Sequence, residues 1–365
     1  MTTSLAFDGR VADAAPSAGR ARGKIADDAA LLKAAAEIAR DLNPVRPGIY
    51  WADFLASVTI GYAGLAAAIL APSLALGLVA ALVSVLALYR AESFIHELTH
   101  VKHSALPGFR AAWNAFIGVP LLVPSFMYEG VHNLHHAKTR YGTAEDPEYL
   151  PLALMKPWTL PAFLLIAALA PIGLLIRYAL LTPLSLLSPR LREIVVARYS
   201  GLVINPDFRR RAPEGEAKAR WHRQEAAASL WAITLLTLVA TGIVPLTAFL
   251  IFLGIAATVA LVNQLRTLVA HLWENDGEPM SVTAQYLDSV NVPPPALLPG
   301  LWAPVGLRYH ALHHLLPSLP YHALGEAHRR LAAMGDPASP YHKANYSGMP
   351  GLIAKIAAST MTRGR

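Results

Sequence analysis

The stretch that decides the fold is ADFLASVTIGYAGLAAAILAPSLALGLVAALVSVLALY, residues 52–89. It carries no charge between Asp53 and Arg90. A bilayer core takes about 20 apolar residues per helix, so this run holds two spans that turn at Ala71-Pro72-Ser73. Residues 227–262, AASLWAITLLTLVATGIVPLTAFLIFLGIAATVALV, repeat the arrangement, with Gly242 to Pro245 as the turn. Composition agrees. The chain is 54% hydrophobic and 15% charged, whereas a soluble domain carries about 25% charged residues. The expected fold is an all-α integral membrane protein: two transmembrane helical hairpins with a cytoplasmic, histidine-rich helical cap.

Both hairpin turns lack Lys and Arg, while the segments 10–46, 90–140 and 190–223 and the position Arg266 are basic. The positive-inside rule places those segments and both termini in the cytoplasm. The expectation is a multi-pass protein of a bacterial inner membrane with a cytoplasmic active site. The apolar stretch 157–187 is long enough to span, but one crossing there would reverse the second hairpin. With Arg177 at its middle, it is expected not to span, either returning near Pro171 or lying along the interface. The first strongly apolar run starts near Trp51, so no secretory signal is expected. Residues 1–48 are read as a cytoplasmic segment with an amphipathic helix from Asp27 to Leu42, 49–332 as the membrane domain and 333–365 as a cytoplasmic tail. The net charge of +7 suits anionic lipid or an acidic partner. Nucleic acid is not expected, because the basic residues flank apolar spans.

The chain has 14 histidines and no cysteine. Disulfides, zinc ribbons, cysteine nucleophiles and thiolate-held clusters are thereby excluded. Any metal must be held by nitrogen and oxygen. None of the histidines falls in a predicted span. His96, His100 and His103 follow the first hairpin, then His132, His135 and His136 in HNLHH. After the second come His271 and then His310, His313 and His314 in HALHH. Positions i, i+3 and i+4 share a helix face, and adjacent histidines point about a third of a turn apart, so each H-x-x-H-H box can serve neighbouring metals. Nine imidazoles (His96, His100, His132, His135, His136, His271, His310, His313, His314) are too many for one ion, which takes about four ligands, and suit two. Imidazole accepts iron, copper, nickel and zinc alike. His103 and His322 are weaker candidates, and His222, His328 and His342 read as ordinary interfacial residues.

FIHELTHVKH, residues 94–103, also contains the H-E-x-x-H of zinc proteases, with Glu97 in the place of the general base. INPDF at 204–208 offers the Asn-Pro-Asp motif that intramembrane proteases use for a third ligand. That alternative leaves seven patterned histidines without a purpose. Glu97 is better read as a carboxylate accepting the second N–H of a metal-bound imidazole, with Glu92, Glu129, Glu145, Asp146, Glu274 and Asp276 as further candidates for that role.

H-x3-H, H-x2-HH and H-x2-HH, in this order after transmembrane hairpins, resemble the membrane-bound di-iron fatty acid desaturase superfamily. That superfamily also holds acyl and alkane hydroxylases and carotenoid-modifying enzymes. The resemblance runs from about residue 50 to 332, and YHALHHLLPSLPYHALGEAHRRL at 309–331 is similar to the desaturase form of the third box. HELTH, with TAEDPEY soon after the second box, is similar to alkane hydroxylases. The resemblance implies that the nine histidines ligate two irons and that O2 is co-substrate. It implies an enzyme that introduces a double bond into a long acyl chain of a fatty acid or membrane lipid. The alternative is a hydroxylase of an acyl, alkane or carotenoid substrate. Some relatives carry an asparagine four residues before the isolated histidine; Thr267 stands there, and the role is not carried over. A separate ferredoxin- or rubredoxin-like donor is implied, for which Lys138, Arg140 and Arg209 to Arg211 offer a basic face.

Overall fold

The computed structural model describes residues 25–296, 298–334 and 339–363. Residues 1–24 of the expected N-terminal segment lie outside the described residues. Among the described residues no strand forms; only isolated β-bridges join His271 to Ser289 and Asn291 to Tyr309 and Asn345.

The amphipathic helix α1 is Ala29–Leu42. Asp28 caps it, its carboxylate accepting from the Ala30 and Leu31 amides at 3.0 Å, which satisfies orphan donors of the first turn. Leu31, Ala35 and Ile38, spaced by four and three, form its buried stripe in one cluster with Leu324, Ala327 and Leu331. Burial of each Leu or Ile contributes about 1.5–3 kcal/mol.

Helices α2 (Pro47–Leu70) and α3 (Leu74–His100) form the first hairpin. Their backbones come close because Gly64 has no side chain: a Cβ there would lie 2.9 Å from the Ser84 amide nitrogen. Small residues of this kind let apolar helices pack in lipid, where no hydrophobic force drives them together. Leu74, Leu78, Val79 and Leu82 point outward and exposed. Beyond Arg90 the same helix continues without a break to His100, so the first histidine pair stands on a rigid extension of a membrane helix.

The stretch 157–187 does not turn at Pro171. Helix α4, Thr159–Ile176, runs through that proline and continues by a π-turn, Arg177–Leu181, to Ser185. A proline deletes one backbone hydrogen bond, which neighbouring helices tolerate in an apolar setting. The chain reverses instead at Leu186 to Ser188, and α5 (Pro189–Tyr199) comes back so that Arg177 Nε donates to the Tyr199 carbonyl at 2.8 Å. Among the described residues four helices are long and apolar enough to cross a membrane: α2, α3, the 159–185 unit and α7 (Leu246–Leu268). The segment expected as the second transmembrane hairpin forms α6 (Gly215–Ala240) and α7, of which α7 alone is among the four candidate spans. The apolar part of α6, from Ala226 to Ala240, rises only about 22 Å at 1.5 Å per residue.

Both ends of α4 are tied to the histidine-side halves of α6 and α7. Gln264, seven residues before His271, donates to the Phe163 carbonyl at 3.2 Å. Arg177 is buried in an ion pair with Glu225, which Arg192 joins at 2.7 Å, and Ser229 donates to the Tyr178 carbonyl at 2.6 Å.

Helix α8 (Met349–Arg363) lies in the segment expected as a tail. Its Leu352 packs with Val269, Leu272, Val290 and Val292, and its Ile356 belongs to the cluster of Leu268 and Trp273. It therefore backs the extended strand-like segment that carries His271.

Candidate metal centre

Nine histidines converge in two groups. His96, His100, His132, His136 and His313 form one; His135, His271, His310 and His314 form the other. Within each group the ligand-capable nitrogens lie within 4.8 Å of one another. These are the nine singled out from the sequence. The way each box divides follows from helix geometry. Residues i and i+4 lie about 40° apart on a helix, whereas i+3 and i+4 differ by about 100°. His132 and His136 accordingly face one group and His135 the other. In the third box, His310 and His314 share a group and His313 crosses over.

The positions of the groups are set by different elements. His96 and His100 sit on the last turns of α3. The second box is a single helical turn, His132–His135, and the third is His310–Leu315. His271 is on no helix: α7 ends at Leu268, and the chain runs on extended, the Leu272 amide donating to the Asp288 carbonyl at 2.7 Å and the Val290 amide to the Ala270 carbonyl at 2.9 Å. This pairing aims His271 at His310, 39 residues away in the chain.

Nε2 atoms face one another at 2.9 Å between His132 and His136, 3.0 Å between His271 and His310, 3.1 Å between His136 and His313, and 3.2 Å between His310 and His314. Ligands about 2.1 Å from a shared ion lie roughly 3 Å from each other, so the spacing fits a metal at each group. For three of the histidines a partner on the opposite ring nitrogen leaves Nε2 with its lone pair, whereas Nδ1 of His310 and of His314 is buried without a partner among the described residues. His132 Nδ1 donates to Glu148 at 3.1 Å and His135 Nδ1 to Asp146 at 2.9 Å. His271 Nδ1 donates to the Tyr141 hydroxyl at 2.9 Å, and Tyr141 and Tyr149 both donate to Asp288 at 2.9 Å. A carboxylate behind an imidazole fixes its tautomer and raises its donor strength. Both ring nitrogens of His96 and Nε2 of His100 are buried without a partner among the described residues. A donor set of imidazoles with orphaned nitrogens and no thiolate fits iron among other borderline metals.

Burial first, then the neighbouring histidines, pushes His132, His136, His271, His310, His313 and His314 well below the usual imidazole value. They are neutral and able to ligate. His135 differs: burial pulls it down, but the carboxylates of Asp146, Glu148 and Asp288 together outweigh that and its value is raised. Burial pushes the Glu148 carboxyl up to about 7.

The carboxylates expected behind the imidazoles are partly others. Asp146 holds that place, but Glu97 does not. Its Oε1 is 3.8 Å from His96 Nδ1, and its Oε2 accepts from the Tyr50 hydroxyl and, at 3.1 Å, from the Tyr321 amide. One residue past His96, it points about 100° away and staples α2, α3 and the segment after the third box. Glu129 binds Arg110 and Ser125, and Glu145 lies near Arg140. Sequence reasoning passed over Glu148 and Asp288, although Glu148 sits beside Asp146 in TAEDPEY. His103 and His222 are exposed; His322 accepts from the Arg46 amide at 3.2 Å, and His328 meets the Tyr341 hydroxyl at 2.7 Å. None of these joins either group. Nor does the protease arrangement form: Glu97 is bound elsewhere, and Asn205 spans the Ala144 and Asp146 carbonyls.

The fatty acid desaturase family matches residues 69–347. The chain belongs to that family. It is a family of membrane di-iron oxidoreductases, and the two histidine groups are what such a desaturase-family chain requires. The chain is also 50% identical over 326 residues to the ceramide hydroxylase of Caulobacter vibrioides (strain NA1000 / CB15N), which covers 89% of this chain and 93% of that one. This relative overturns the expected double-bond chemistry. Family membership did not distinguish the two reactions, because both start by removing hydrogen from the same kind of carbon and part only afterwards. The relative is named for hydroxylation, and the desaturase assignment is withdrawn.

Proposed function

We propose that the chain is an O2-dependent di-iron hydroxylase of a long-chain membrane lipid of the ceramide class. The observation that carries this reading is the pair of histidine groups, five and four, in a chain half identical to a ceramide hydroxylase over nearly its whole length. His96, His100, His132, His136 and His313 would hold one iron, and His135, His271, His310 and His314 the other. Two bound irons would supply, with O2, the oxidising power to attack an unactivated C–H bond.

The chain's own residues do the rest. Glu148, Asp146 and the Tyr141–Asp288 pair hold protons on the outer nitrogens and turn the inner nitrogens toward the metals. Buried aromatic and aliphatic side chains keep water from the four-histidine group, all of whose members are buried. His100 and His136 of the other group are only half-buried, so that group is the one open to an approaching chain. Holding one carbon there converts a bimolecular encounter into a positioned one, worth several kcal/mol.

Conversion of C–H and O2 to C–OH and water takes two electrons and two protons from outside. A separate ferredoxin- or rubredoxin-like protein would deliver the electrons at the basic face of Lys138, Arg140 and Arg209 to Arg211, with the site on the cytoplasmic side of a bacterial inner membrane. The test is a lipid profile by mass spectrometry after expression under 18O2. Ceramides should gain one labelled oxygen. Loss of two hydrogens with no oxygen gained, or no change in any ceramide, would overturn the proposal.

A further inference from the structure

A cavity of about 800 Å3 opens on the outer side of the two helices that carry the first boxes. Leu98 and Thr99 of α3 and Asn133 and Leu134 of the second box line it. It lies outside the metal groups, and the proposed reaction does not use it. Six arginines face it (Arg110, Arg140, Arg209, Arg210, Arg211, Arg220), against three acids, Glu129, Glu145 and Asp207.

The acids do not use up that charge. Glu129 takes Arg110 at 2.6 Å and lies 3.7 Å from Arg220, while its backbone carbonyl takes Arg210 at 2.6 Å. Arg140 lies 3.5 Å from Glu145. Arg209 donates only to the Pro206 and Phe208 carbonyls, and Arg211 is exposed at the rim. Two further lining groups, Arg110 Nε and Trp221 Nε1, are buried without a partner among the described residues. Both are N–H donors. The Arg210 guanidinium carbon lies over the Trp221 ring, 4.2 Å from its centroid, a cation–π contact that helps hold the side chain in the pocket. Burial lowers the Arg110 guanidinium and brings Arg210 down to about 10, so positive charge is held here against a desolvation penalty.

We propose that this cavity is a binding site for a phosphate-bearing ligand. Six guanidiniums against three carboxylates leave a surplus of donors that favours an acceptor-rich anion, and guanidinium forks match phosphate oxygens two at a time. The volume is that of a small-molecule site. Phe126, Phe208 and Trp221 give the ligand an apolar wall. The rim arginines Arg140 and Arg209 to Arg211 are shared with the proposed donor face, but a protein donor meets the rim of such a concavity and leaves its interior unfilled, and the phosphate site does not rest on the hydroxylase proposal. The phosphate belongs either to a soluble compound or to the headgroup of an anionic phospholipid.

The test uses the full chain in nanodiscs of choline-headgroup lipid, titrated with inorganic pyrophosphate by calorimetry. A parallel set of nanodiscs contains phosphatidylglycerol, and native mass spectrometry counts the lipid retained. The variant is Arg209→Gln with Arg211→Gln, two exposed positions, and Lys343→Gln is the control for loss of charge elsewhere. Pyrophosphate binding that weakens about tenfold or more in the double variant, and not in the control, supports a soluble ligand. Retained phosphatidylglycerol lost only in the double variant supports a headgroup. The proposal fails if neither ligand binds the wild type. It fails equally if the double variant binds as the wild type does, or if it alters only the KM for reduced ferredoxin.

Discussion

His271 Nε2 lies 3.0 Å from His310 Nε2, although 39 residues separate them and His271 belongs to no local box. Its position depends on the extended pairing with Ser289 and Val290. His271→Ala leaves His135, His310 and His314 in a group of four. It should lose one iron per chain and nearly all turnover, whereas His222→Ala, at an exposed position, should keep both irons. Metal analysis of the purified variants decides the matter; two irons in His271→Ala would move the ligand elsewhere.

Asp146 is fully buried and accepts from His135 Nδ1 at 2.9 Å, the Gly142 amide at 2.8 Å and the Glu148 amide at 2.9 Å. Asp146→Asn places an NH2 group among three donors. Metal affinity should fall about 10–100-fold, as for other partners of ligating histidines, with loss from the four-histidine group first. Chelator competition measures this, and wild-type retention would mean that Asp146 does not tune His135.

The pH dependence follows from six histidines held below the ordinary value of 6.5, burial being the main cause. Below about 6.5 the unfolded chain takes up protons that the folded chain refuses, so stability declines as pH falls. His135, raised by Asp146, works in the opposite direction and is outnumbered. The thermal midpoint of metal-free protein should drop as pH falls below about 6.5. A midpoint flat from there to pH 5 would show that these imidazoles are not desolvated.

Topology is tested by single cysteines, since the chain has none of its own. Ser73→Cys and Thr247→Cys, at the two hairpin turns, should react with a membrane-impermeant thiol reagent added outside. Ser188→Cys should stay unlabelled, because both ends of α4 are held on the histidine side of α6 and α7. Labelling at Ser188 would establish that 159–185 crosses.

The sequence by itself determined what depends on neighbours within a turn or on an apolar run of bilayer length. The α2–α3 hairpin, the amphipathic α1 and the eight box histidines are of this kind, because i, i+4 spacing fixes a helix face wherever the helix goes. His271, which belongs to no box, was picked out by its place after the second hairpin and by the family resemblance. Of the carboxylates behind the histidines, Asp146 was among the sequence candidates, but Glu148 and Asp288 were not: Asp288 accepts from Tyr141, 147 residues away, which backs His271, and Glu97, adjacent to His96, points off to Tyr50. A return at Pro171 was one of two readings of 157–187, but α4 runs on through that proline, its ends tied to α6 and α7. The split of the nine histidines into groups of five and four was also left to the tertiary structure. A spacing says which histidines share a face, whereas only the meeting of four separate segments says which faces look at one another.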